Sequence, residues 1–65
     1  MGRRILMLRE QQGLSQQFFS VMVGMDRSYL IDIEQGKRNV SLSYLLRIAQ
    51  GLDVTLSELF EGVDS

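Results

Sequence analysis

A chain of 65 residues allows one domain with a small core, marginal in stability without a partner. Cysteine and histidine are both absent, which excludes disulfides, thiolate chemistry and the usual zinc ligands, and no nucleophile–base constellation supports an enzyme. The net charge is -1 and the pI near 5.1, yet all seven Lys and Arg lie within residues 1–47 against four acids, while 48–65 carry Asp53, Glu58, Glu61 and Asp64 and no base.

Residues 3–12, RRILMLREQQ, repeat apolar positions at Ile5 and Leu8 with a helical period, and Gly13 is placed to stop this first helix. Ser15 offers a hydroxyl to the free N–H groups of a second helix, Gln16 to Val23, and Gly24 can take the left-handed conformation that ends it. Asp26 stands as the cap of a third helix, Arg27 to Gln35. Leu14 with Phe19 and Met25 with Leu30 have the spacing of hydrophobic staples. Phe19, Ser20 and Val23 face inward from the second helix and Leu30 and Ile33 from the third. Arg27, Ser28, Tyr29, Ile31 and Asp32 are left toward solvent. Two short capped helices around a glycine turn fit any small helical bundle, and they also fit the helix-turn-helix whose second helix lies in the DNA major groove. The spacing alone leaves both readings open.

Gly36-Lys37-Arg38-Asn39 follows as a turn whose two consecutive bases suit a phosphate backbone, with Asn39 adding a neutral hydrogen bond. Ser41 caps a fourth helix, Leu42 to Gly51, and can also donate to phosphate. Val40 is stapled to Leu45, and Leu45, Ile48, Ala49 and Leu52 form the core face, with Tyr44 and Arg47 outward. Beyond it, Val54 with Leu59 makes a fourth staple and Thr55 with Glu58 a capping box, which predicts a short fifth helix. Leu56, Leu59 and Phe60 are too many apolar residues for so short an element to leave in water. Some are expected to pack on the first helix and the rest to form a symmetric dimer patch. Residues 61–65 form a short tail.

From Ser15 to Phe60 the residues Leu14-Ser15-Gln16, Phe19-Ser20, Gly24 to Ser28, Ile33-Glu34, Gly36 to Asn39, Ser41-Leu42, Leu45, Ile48-Ala49, Leu52 and Glu58-Leu59-Phe60 fall in one ungapped register. In that register the chain resembles the Cro and phage-repressor type helix-turn-helix domain, the Xre family. The runs Arg38 to Leu42 and Arg27 to Leu30 also resemble the controller proteins of restriction-modification systems.

The resemblance implies an all-α, five-helix, lambda-repressor-like domain. It implies that Arg9 pairs with Glu34 as a structural ion pair and that Gln16 contacts phosphate, its amide able both to donate to a phosphate oxygen and to brace a base-reading side chain. Arg27, Ser28 and Asp32 fall where family members touch base edges: Arg27 can fork onto guanine, Ser28 can donate or accept, and Asp32 can accept from cytosine N4. A carboxylate near phosphates is repelled unless it finds such an amine or an arginine such as Arg27. Tyr29 can stack on sugar or a thymine methyl. Leu6, Met7, Phe18, Val21 and Met22 exceed what the core needs, and they read either as a second interface or as part of a modified core.

No apolar run reaches the ~20 residues of a membrane span, and no signal peptide is recognisable, so a cytoplasmic protein is expected. The reading is a homodimeric regulator that binds an inverted-repeat operator in double-stranded DNA, with no cofactor and no metal. The alternative is a protein-binding module, such as an antitoxin or anti-repressor, that holds a partner protein on its apolar patch.

Overall fold

Where the helices of this chain stop is decided by one device used four times. The computed structural model describes residues 1–61 and contains α1 (Gly2–Gln11), α2 (Gln16–Val23), α3 (Arg27–Glu34), α4 (Leu42–Leu52) and α5 (Leu56–Phe60). Most of the expected tail, from residue 62 on, lies outside the described residues. After each of the first four helices one residue adopts positive φ and the next amide reaches five residues back. The bonds run from Leu14 to the Arg9 carbonyl, Met25 to Ser20, Lys37 to Asp32 and Val54 to Ala49, at 2.9–3.1 Å. This is the Schellman closure, which satisfies carbonyls that a helix end would orphan. Gly24 supplies the left-handed residue in the turn between α2 and α3, at φ 71°, and Asp53 does so after α4, at φ 58°, where the sequence has no glycine to offer.

The caps at the other ends are mostly as the side chains suggest. Ser15 accepts from the Phe18 amide, Ser41 from the Tyr44 amide, and Thr55 and Glu58 exchange both bonds of a capping box. Asp26 is a correction. It occupies the cap position of α3 in an extended conformation, but its side chain makes no capping hydrogen bond, leaving the carboxylate to solvent and the neighbouring groove. Gly51 lies within α4, which runs one residue beyond its expected end, to Leu52. A Cβ there would stand 2.8 Å from Val23 Cγ1 and 3.1 Å from Phe19 Cε1, so this glycine lets α2 and α4 approach closely.

The core joins Ile5 and Leu8 of α1, Phe19 and Val23 of α2, Met25, Leu30 and Ile33 around α3, four residues of α4, and Leu59. All four stapling partners before the caps, Leu14, Met25, Val40 and Val54, pack on or within it. Burying an aliphatic or aromatic side chain contributes about 1.5–3 kcal/mol, so this shared core, more than any helix propensity, holds five short helices together. Around it α1 packs on α3, α4 and α5, and α2 on α3 and α4. Arg4 donates to the Glu58 carbonyl at 2.9 Å and Gln12 to the Leu52 carbonyl at 2.6 Å, tying α1 to the end of the chain. The packing leaves one face of α3 uncovered. No helix among the described residues is long and apolar enough to cross a membrane.

Candidate nucleic-acid interface

Placement of α3 begins at a buried ion pair. Arg9 Nε stands 2.7 Å from Glu34 Oε2 and its Nη2 3.1 Å from Oε1, with the two side chains only 7% and 1% exposed. The remaining nitrogen, Nη1, donates to the Leu14 carbonyl at 2.7 Å. The hydrogen bond to Glu34 raises the pKa of Arg9. One guanidinium thereby fixes α1, the link into α2 and the end of α3. Gln16 joins the same cluster, its Nε2 donating to Glu34 Oε1 at 3.1 Å. Gln16 thus braces the ion pair, a contact its expected roles did not include.

With Leu30, Ile33 and Glu34 buried, α3 turns Arg27 and Ser28 to solvent and leaves Tyr29, Ile31 and Asp32 partly covered. Neither Arg27 nor Ser28 has a side-chain hydrogen bond or ion pair among the described residues. Lys37 and Asn39 are exposed in the following turn. Arg38 folds back. Its Nε is 3.9 Å from Asp32 Oδ2, and its guanidinium carbon is 5.1 Å from the centre of the Tyr29 ring. The arginine that meets Asp32 is therefore Arg38 and not Arg27.

The stack continues into α4, with Tyr29 and Tyr44 ring centres 5.2 Å apart at a tilt of 56° and Arg47 lying 5.4 Å from the centre of Tyr44. Tyr44, expected outward, is half-buried as the support of Tyr29. Its role has no signal in the sequence, because the meeting depends on how α4 crosses α3. Ser41, besides its cap, shares a hydrogen bond of 3.1 Å with Ser43. Asp26, Ser28, Tyr29, Asp32, Arg38 and Tyr44 line a shallow groove of about 400 Å³ along α3.

The apolar residues divide in ways the sequence leaves open. Leu59, expected in a dimer patch with Leu56 and Phe60, is fully buried in its own core and cannot reach a partner. Leu56 is partly buried, and Phe60 remains 47% exposed. Met7, Phe18, Val21 and Met22 are exposed and Leu6 is partly covered, so no modified core absorbs that set. Leu42 and Leu46, four residues apart on α4 and not singled out by their spacing, are exposed as well.

The family model described as Helix-turn-helix matches residues 5–59. The control protein C.MunI of Mycoplasma sp is 47% identical over 64 residues, covering 97% of this chain and 86% of that protein. The crystal structure of the restriction-modification controller protein C.AhdI from Aeromonas hydrophila is 46% identical, covers 91% of this chain and 89% of its own, and superposes with a TM-score of 0.88. A structure of SinR, the master regulator for biofilm formation, in complex with DNA is 31% identical, with coverages of 92% and 97% and a TM-score of 0.86. The chain belongs to the helix-turn-helix family, as a DNA-binding transcriptional regulator and not an enzyme.

Proposed function

We propose that the protein is a controller-type regulator that binds an inverted-repeat operator as a homodimer, with α3 in the major groove. The observation that carries this reading is the pair Arg27 and Ser28, which stand exposed and, among the described residues, unpaired at the start of a helix whose end a buried ion pair anchors. In this reading Arg27, Ser28, Tyr29 and Asp32 meet base edges. Lys37, Asn39 and Ser41 meet phosphate, with Arg38 when released and the free valences of Gln16. The high identity and near-complete mutual coverage with C.MunI and C.AhdI support the controller assignment.

With Leu59 withdrawn into the core, the dimer patch is Phe60 with the exposed part of Leu56. A two-fold dimer sets the recognition helices about 34 Å apart, one turn of the duplex, so operator half-sites are inverted and separated by that distance or a multiple. Sedimentation of wild-type protein and Phe60→Arg tests this. The substitution is expected to shift the mass toward one chain and weaken binding to paired half-sites while helical circular dichroism is retained. Wild-type protein that sediments as a monomer at tens of micromolar and binds single half-sites as tightly as pairs contradicts the dimer. A second reading, a partner protein held on α2, is favoured by the exposed Phe18, Val21 and Met22.

A further inference from the structure

We infer that Asp32 sets how strictly this protein discriminates among DNA sequences, by holding Arg38 over α3 and releasing it at little cost only where a base amine takes its place. The inference rests on the reading of α3 as the base-reading helix and deepens it. Arg38 and Asp32, one taken as a phosphate contact and the other as a base contact, approach each other as a long ion pair at 3.9 Å. Their two tasks are therefore coupled.

The groove that lodges them carries two carboxylates, Asp26 and Asp32, against one cation, Arg38. The lining of a surface proposed to meet a polyanion is thus net negative, with Arg47 adjoining it over the Tyr44 ring. Both members of the pair are well exposed, at 56% and 38%, so the bond between them contributes little to stability and exchanges readily. The position Arg38 occupies is nonetheless built, because Tyr29 and Asp32 lie three residues apart on one face of α3 and Tyr44 supports the Tyr29 ring.

Two courses are open when this face meets DNA. If Arg38 stays on Asp32, the protein forgoes one phosphate contact. If it moves to phosphate, Asp32 faces the backbone charge unpaired, unless the exocyclic amine of a cytosine or an adenine donates to it in the major groove. Only a sequence that presents such an amine allows both contacts at once. Any other sequence is held more weakly, and that difference is selectivity.

Fluorescence anisotropy with a duplex selected by wild-type protein from a randomised pool, and with a scrambled duplex of the same length, tests the coupling in wild type, Asp32→Asn, Arg38→Gln and the double variant. Asp32→Asn is expected to tighten scrambled DNA roughly fivefold to tenfold, to steepen its logarithmic salt slope by about 0.9, and to reduce the ratio of selected to scrambled affinity roughly tenfold. In the Arg38→Gln background no arginine remains to be released to phosphate, so the steepening of the salt slope is expected to disappear, which is the signature of coupling in a double-mutant cycle. Wild-type discrimination with additive effects of the two substitutions overturns this inference alone. Wild-type protein that selects no sequence overturns it together with the reading on which it rests. Both side chains are exposed and thermal melting checks that every variant is folded, so a loss of binding is read at the interface.

Discussion

Two arginine–carboxylate pairs stand at opposite faces of the same helix, and they differ in everything but chemistry. Arg9 and Glu34 meet at 2.7 Å with almost no exposure and have every nitrogen of the guanidinium committed. Arg38 and Asp32 meet at 3.9 Å with much of both side chains in water. The buried pair must remain closed, because either partner left alone is an uncompensated charge in the core. The exposed pair can open for a competing ligand. Rigidity behind α3 and exchange in front of it suit the base-reading role proposed for it, since a reader must be held in place and yet must give up its own contacts to those of a base.

The buried pair is most sensitive at Glu34. Glu34→Ala is expected to cost ~3–5 kcal/mol in urea unfolding, while the joint replacement Arg9→Met with Glu34→Leu costs less, because no charge is then left unpaired. A single substitution no more harmful than the double would mean that the pair is not effectively buried. The pH dependence has a definite sign. Arg9 has its pKa raised in the fold, so the stability it contributes is complete below the ordinary arginine range and is lost only as pH rises through the folded value. The unfolding midpoint should show no arginine-linked fall between neutral pH and about 10.

A second substitution loosens the scaffold without touching charge. Gly51→Ala would normally favour a helix by about 1 kcal/mol, but its methyl group meets Val23 and Phe19 in the core and is expected to cost ~1–3 kcal/mol instead. A rise in melting temperature would show that α2 and α4 are free to separate. The smallest effects sharpen the contrast at the caps of the two motif helices. Ser15→Ala should cost about 1 kcal/mol, whereas Asp26→Ala, which removes no capping bond, should stay within about 0.5 kcal/mol, both read by thermal unfolding.

These regions were not equally legible in the sequence. Caps, staples and the helical period are local, so Ser15, Gly24, Ser41 and the Thr55–Glu58 box announce their helices within a few residues of where they act. The Arg9–Glu34 pair spans 25 positions and becomes readable only through resemblance to a family. Leu59 could not be separated from Leu56 and Phe60 by spacing, because which of the three enters the core depends on how α5 docks against α1 and α4. Arg38 looked like a free loop charge for a related reason. Its fold-back onto Asp32 and Tyr29 is a tertiary choice made by an exposed side chain, and no periodicity encodes it.

Whether α3 reads bases while the turn after it meets phosphate is decided by the affinity of Arg27→Ala for the selected and scrambled duplexes, with Lys37→Ala as its counterpart. Arg27→Ala is expected to lose ~1–3 kcal/mol on the selected duplex and to leave the scrambled one within about twofold. Lys37→Ala should weaken both alike and flatten the salt slope by about 0.9. Equal losses on both duplexes for Arg27→Ala would contradict the account, because Arg27 would then be one more phosphate contact and α3 would not be reading the sequence through it.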